Sequence, residues 1–217
     1  MTNSLIVHKD SSHEGIAHIY TNIGMDGNGV FVGNALFTAA HVVAHSENFG
    51  VFGKNYTTKS AVCYFDDDYW YKKVLRILSF TIFGWHFNDF AMYEANSHSS
   101  FNFSSNLPSV NDVLETYSIK DEVKKQGNSQ CHNIFSTINM SQLVTHVDSA
   151  KVLYIKGNYI FCEMNEMLEK GRSGCPLIKG NKVYGILRGG DDKRICWFQS
   201  SVSILKRLQE LYIRVKY

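Results

Sequence analysis

An all-β fold of two small antiparallel barrels followed by one α-helix is the architecture this sequence predicts. Three observations lead there. Short apolar runs bounded by Gly, Asn, Asp and Ser recur along most of the chain, which is the pattern of β-strands and turns. A Ser- and Asn-rich stretch, 97–111, with Pro108 near its end, divides these runs into two comparable series. The period changes only after Ser201, where Ile204, Leu205, Leu208, Leu211, Tyr212 and Val215 recur at three- and four-residue steps.

In chain order, the first series places strands at 15–20, 29–32, 35–38, 49–52, 61–65, 74–83 and 90–94. The second places them at 113–119, 133–138, 152–155, 159–163, 176–179, 182–188 and 195–199. The expected organisation is an N-terminal six-stranded barrel over 1–96, a linker over 97–111, a C-terminal six-stranded barrel over 112–200 and a helix over 201–217 packed on the second barrel. With 217 residues and 44% hydrophobic content, the chain is long enough for two small packed cores and is not a disordered protein.

No apolar run reaches the ~18 residues of a membrane span. Met1-Thr2-Asn3-Ser4 is followed by too short an apolar run before His8, Lys9 and Asp10 for a signal peptide. Five cysteines, Cys63, Cys131, Cys162, Cys175 and Cys196, form no close pairs and no C-x-x-C. A disulfide-stapled secreted scaffold and a structural zinc site are both disfavoured, Cys131-His132 with Cys162 included, and neither metal nor cofactor is expected. A soluble protein of a reducing compartment is the expectation.

Chemistry concentrates in three places. Gly171-Arg172-Ser173-Gly174-Cys175-Pro176 is a tight loop leading into the apolar run Leu177-Ile178. If Ser173 is a nucleophile, its hydroxyl needs a base and an oxyanion site, and the amides of Gly171 and Ser173 can converge to form one. Alone, such a match is more simply a Gly-Ser turn. Upstream, Thr38-Ala39-Ala40-His41 sets a histidine among small residues at the end of an apolar run, with room for partners from elsewhere in the fold. The third group should be a carboxylate that orients the imidazole, and Asp89 in Asn88-Asp89-Phe90-Ala91 supplies one at a strand start. The rival run Asp66-Asp67-Asp68 reads as a solvated hairpin tip.

Taken together, the order His, Asp, Ser with the T-A-A-H, N-D-F-A and G-x-S-G-x-P motifs resembles the chymotrypsin-like serine proteases. The resemblance extends from about Gly15 to the C-terminal helix. It implies that His41 is the general base and acid, Asp89 its orienter, Ser173 the nucleophile, and Gly171 with Ser173 the oxyanion hole. Two departures stand out. Secreted trypsin-type enzymes have an acid before the serine that pairs with a freed amino terminus, and a cysteine after the histidine; here these positions hold Arg172 and Val42, so zymogen activation of that kind is not expected. Cys175 replaces the usual second glycine.

Small size, no disulfide framework and the run Lys182-Val183-Tyr184-Gly185-Ile186-Leu187-Arg188-Gly189-Gly190 are similar to the 3C-like main proteases of positive-strand RNA viruses. The serine nucleophile is similar to the arterivirus and torovirus members of the nidoviruses, and also to astrovirus and sobemovirus proteases. This resemblance implies a polypeptide substrate, the protein's own polyprotein, and action in the host cell cytoplasm. It also implies a substrate pocket formed by Met167, Leu168, Leu187, Arg188, Gly189 and Gly190. Leu187 stands where many relatives carry a specificity histidine, so an uncharged, large P1 residue is expected. Gly189 and Gly190 would let a substrate lie along the strand edge as an added strand.

The last segment carries Lys206, Arg207, Arg214 and Lys216 against Glu210. That basic face is compatible with weak RNA contact, although a solvated helix face explains it more simply. Homodimer formation is left open. The alternative function is a chymotrypsin-fold binding or RNA-contacting module with little activity. An α/β-hydrolase esterase is strongly disfavoured by order, because no histidine follows Ser173.

Overall fold

Strand β1 (Ile16–Thr21) is buried along its whole length, because it is hydrogen-bonded on both sides within a sheet. Its antiparallel neighbours are β2 (Asp26–Thr38) and β3 (Asn48–Val51). With β4 (Lys54–Thr57), β5 (Cys63–Asp66) and β6 (Asp89–Ser99) they form a six-stranded sheet in the order β4-β3-β1-β2-β6-β5. The computed structural model of the chain describes residues 15–21, 26–44, 46–51, 54–57, 60–66, 87–121, 143–191 and 194–211. Among these residues no pairing joins β4 to β5, so the first sheet is an open half-barrel.

The second sheet contains β7 (Asn102–Phe103), β8 (Val113–Asp121), β9 (Leu143–Lys156), β10 (Tyr159–Met164), β11 (Pro176–Lys179), β12 (Lys182–Gly190) and β13 (Ile195–Ser200). Its order is β11-β8-β9-β10-β13-β12-β7, and a further pairing of β11 with β12 closes six of these strands into a barrel. The two-barrel, mostly β expectation therefore holds, with closure seen in the second unit.

Several expected elements differ in detail. The segments 29–32 and 35–38 are one strand, because Gly33 (φ 57°) and Asn34 form a bulge with a register shift between Gly33 and Ala35 rather than a reversal of the chain. Strand β9 runs from Leu143 to Lys156 and not only over 152–155; its exposed Val147 and Tyr154 obscure the in–out alternation. Within the stretch expected as linker, β6 continues to Ser99 and β7 adds parallel to β12 with Phe103 buried. The strands expected at 74–83 and 133–138, the acids Asp67 and Asp68, Cys131-His132, and residues 212–217 lie outside the described residues.

Two helices complete the fold. Helix α1 (Ala40–Val43) is a single turn that follows β2 directly. Helix α2 (Ser201–Glu210) starts at Ser200, whose hydroxyl accepts from the Ser203 amide at 3.2 Å. It packs against β12 and β13, but it also reaches the first sheet. Ile204 and Leu208 join a core cluster with Phe37 of β2, Cys63 of β5 and Phe90 of β6, and the Arg207 guanidinium lies 4.7 Å over the Phe65 ring. The helix thus packs across both sheets. Each sheet also has its own cluster, around Phe49 and Tyr93 in the first and Phe198 and Leu187 in the second.

Candidate active site

The end of β2 delivers His41 to the cleft. Thr38 is fully buried and donates through Oγ1 to the Asn28 carbonyl at 2.7 Å. Ala39 and Ala40 are equally buried, so only small side chains fit where the strand turns into α1. His41 therefore lies on a short helix, not on the strand end that the sequence predicts.

Asp89 opens β6 and grips His41 at two points. Its Oδ2 accepts from the ring Nδ1 at 2.6 Å and its Oδ1 from the His41 backbone amide at 3.0 Å. An ionised carboxylate only accepts, so this contact assigns the proton to Nδ1 and leaves Nε2 unprotonated in the neutral ring. The Asp89 side chain is 2% exposed and the His41 side chain 33%, so the carboxylate is shielded while the imidazole still meets the cleft.

The second sheet holds Asp89 from behind. Its amide donates to Gln199 Oε1 at 2.6 Å, and Gln199 Nε2 donates to Asn88 Oδ1 at 2.9 Å. Tyr159 donates its hydroxyl to the Phe87 carbonyl at 2.9 Å. Arg188 Nε sits 3.3 Å from Asp89 Oδ2, and its guanidinium lies 5.2 Å over the Tyr159 ring. Burial pushes the Arg188 guanidinium down to about 10, with Asp66 opposing the shift, so it stays cationic at neutral pH. Apart from the Arg188–Tyr159 contact, which lies within the second sheet, these contacts tie the second sheet to residues 87–89 at the start of β6.

The loop bearing Ser173 is fastened to the same strand that leads to His41. The Asn28 amide donates to the Ser173 carbonyl at 2.7 Å, and Asn28 Nδ2 donates to the Gly171 carbonyl at 2.8 Å. A Cβ built on Gly27 would come 2.5 Å from Val42 Cγ1 and 3.1 Å from the Ser173 carbonyl oxygen. One bare Cα thus separates the residue after His41 from the Ser173 main chain. Gly171 and Gly174 take φ of 89° and 88°, values closed to most side chains. The Cys175 amide donates to Arg172 O at 3.0 Å and the Gly174 amide to Leu187 O at 2.7 Å. No hydrogen bond engages the amides of Gly171 or Ser173 among the described residues.

The residues expected to bind substrate fall into different environments. Leu187 is fully buried in the second core beside Cys162, Cys175 and Cys196. Arg188 is taken up by Asp89, which ties it to the His–Asp pair rather than to a pocket wall. Met167 is 57% exposed. Leu168 folds over Gly190, where a Cβ would come 2.7 Å from Leu168 Cδ2, and Gly189 faces the Trp197 indole. Asn28, Gln199, Tyr159 and Asp148 are not singled out by the sequence; Asn28 stands between two glycines, with nothing nearby to mark its role.

His146, Asp148 and Glu166 hold ligand atoms within 4.8 Å of one another. His146 Nε2 and Glu166 Oε2 are 2.8 Å apart, but Asp148 is committed to the Arg172 cation at 3.1 Å, an unfavourable neighbour for a metal ion. The described cysteines, Cys63, Cys162, Cys175 and Cys196, are buried and form no disulfide with one another. No helix among the described residues is long and apolar enough to cross a membrane.

Two β-barrel sheets with a His–Asp pair on one and a Gly-x-Ser-Gly loop of the other bonded to the strand that leads to the histidine define the chymotrypsin-like serine peptidases. The family model described as Trypsin matches residues 9–196, and the chain belongs to this family of peptide-bond hydrolases. Its substrate is accordingly a polypeptide. Among solved structures, a Glu endopeptidase aligns with TM-score 0.60 at 11% identity, covering 97% of this chain and 95% of its own. The serine protease of a human pathogenic astrovirus aligns with TM-score 0.50 at 19% identity, covering 87% and 94%. The tobacco vein mottling virus protease aligns with TM-score 0.52 at 9% identity, covering 87% and 77%. At these identities the likeness concerns the fold. No curated protein sequence matches the chain.

Proposed function

We propose that this protein is a serine endopeptidase working through His41, Asp89 and Ser173, and that it cuts the polyprotein of a positive-strand RNA virus. The observation that carries the catalytic part is the two-point grip of Asp89 on His41, at 2.6 and 3.0 Å, next to a serine loop bonded to the strand that precedes His41.

In this reading Ser173 Oγ attacks the scissile carbonyl carbon while His41 Nε2 takes its proton. Asp89 keeps the ring oriented and stabilises the imidazolium that forms. Negative charge on the carbonyl oxygen is met by the Gly171 and Ser173 amides. Collapse breaks the C–N bond as His41 returns the proton to the leaving amine, and water then releases the acyl group by the same route. The Arg188 cation offsets the second negative centre that Asp89 brings into a buried site.

Support for a viral polyprotein comes from the absence of a disulfide among the described cysteines and from the resemblance of its motifs, with their serine nucleophile, to 3C-like enzymes of the nidovirus type. Of the expected pocket residues Leu187 is buried in the core, which leaves exposed Met167 and Leu168 over Gly190 as the apolar side chains that favour an uncharged P1 residue. The test is hydrolysis of a diverse peptide library, read by mass spectrometry, for wild type beside Ser173→Ala. Cuts after large uncharged residues that vanish in the variant support the reading. Cleavage confined to Glu or Asp at P1 overturns the specificity, and cuts that persist in the variant overturn the role of Ser173.

A further inference from the structure

We infer that Asp148 is a positioning residue that fixes the oxyanion loop through Arg172. This inference rests on the peptidase reading above. Arg172 is the link between Gly171 and Ser173, so its backbone sets the relative direction of the two amides assigned to the oxyanion. Its side chain does not extend to solvent, as an arginine in a surface loop normally does. It is 2% exposed, with Nη1 3.1 Å from Asp148 Oδ2, and the Asp148 side chain is 3% exposed.

A buried ion pair contributes little net stability compared with apolar residues of the same size, whereas its geometry is directional. Arg172 Nε and Nη2 have no hydrogen-bond partner among the described residues, so the pair is a poor solution for stability alone. Asp148 is itself held, since its Oδ1 accepts from the Ser149 amide at 2.8 Å and β9 pairs it with Thr116 of β8 in the barrel wall.

The opposite side of the loop is held by Asn28, whose polar groups are all engaged. Its Nδ2 reaches Gly171 O at 2.8 Å and its amide reaches Ser173 O at 2.7 Å. Its Oδ1 accepts from the Ile119 amide at 2.7 Å, and its carbonyl accepts from Thr38 Oγ1. Three consecutive residues are thus fastened: Gly171 and Ser173 by their carbonyls to the first sheet, Arg172 by its side chain to the second. Asp148 supplies the charge that closes this clamp from the wall of the second barrel.

The experiment compares wild type, Asp148→Asn and the double variant Asp148→Leu with Arg172→Met, measuring kcat, KM and melting temperature on one peptide, with fluorophosphonate labelling of Ser173 alongside. Asp148→Asn keeps the shape and removes the charge; kcat is expected to fall about tenfold or more with KM within about threefold, the pattern of an interaction expressed in the transition state. In the double variant the melting temperature is expected to return to the wild-type value or above while kcat stays low, because apolar packing restores stability and not direction. Unchanged kcat in Asp148→Asn, a rise in KM alone, or recovery of kcat together with melting temperature in the double variant each overturns the positioning role. Wild type that neither cleaves nor labels at Ser173 overturns the peptidase reading and this inference with it, whereas an active wild type with an equally active Asp148→Asn overturns this inference alone.

Discussion

Gly174 offers a sharp test of how tightly the serine loop is fitted to the first sheet. An alanine there would place its Cβ 1.8 Å from the Asn28 carbonyl oxygen and 2.7 Å from Thr38 Oγ1, at a φ of +88°. The left-handed backbone alone costs about 1–2 kcal/mol. The overlap with Asn28 falls about 1.4 Å short of an ordinary carbon–oxygen contact, so the loop must move away from β2. That separation breaks the bond from the Asn28 amide to Ser173 O and strains the one from Thr38 to Asn28 O, both 2.7 Å in the native protein. At ~1 kcal/mol for each hydrogen bond, the total is about 3–4 kcal/mol, a large part of the ~5–15 kcal/mol that holds a domain folded. Ser173 moves with its carbonyl, and a displacement of ~1 Å costs about a hundredfold in rate. Gly180→Ala is the control: its φ is also positive, +61°, but nothing lies within 4 Å of the added carbon, so it should cost only about 1 kcal/mol and leave activity intact. Guanidinium denaturation and kcat/KM on the same preparations read both effects. A Gly174→Ala protein as stable and as active as Gly180→Ala would refute the reasoning.

Three further outcomes follow from the packing and from the buried groups. Ile204→Ala on α2 removes a fully buried side chain from the cluster shared by both sheets, and should cost about 2–5 kcal/mol in denaturation with one transition for the whole chain; separate transitions would contradict a shared core. Burial pushes the Cys63 thiol up to about 11 and Cys162 to about 12, with Cys196 well above its ordinary value. The folded state therefore keeps protons that the unfolded chain gives up, so stability is full below about pH 8.5 and declines as pH rises through 11; a melting temperature in reductant that is flat from pH 8 to 11 would contradict this. Because the partner of Arg172 is Asp148 of β9, residues appended before Met1 should leave kcat/KM within about twofold, and a tenfold loss would mean that the amino terminus itself orders the loop.

The sequence conveyed the fold through features that are local. Strand runs, their division near Pro108 and the helical period after Ser201 depend on neighbouring residues, and they gave two sheets and one helix. The short motifs around His41, Asp89 and Ser173 are likewise local, and the structure brings Asp89 to His41 as their order implies. What stayed hidden depends on partners far apart in the chain. Asn28 looks like a turn residue between two glycines until its side chain is seen between Gly171 and Ile119. Asp148 has no neighbour in sequence that announces Arg172, and Arg188 sits in a strand whose next residues are glycines, so only its contact with Asp89 reveals its place. The bulge at Gly33 and the long β9 were obscured for a simpler reason, since a Gly-Asn pair and exposed apolar residues imitate a turn and a strand end.

The central claim is that His41, Asp89 and Ser173 form one working unit, and the most direct measurement is fluorophosphonate labelling followed by peptide mass mapping of wild type, His41→Ala and Asp89→Asn. The account predicts one adduct on the peptide containing Ser173, with a rate that falls about 10³-fold or more when either partner is replaced. An adduct on another residue, or labelling of Ser173 at the same rate without His41, would contradict it.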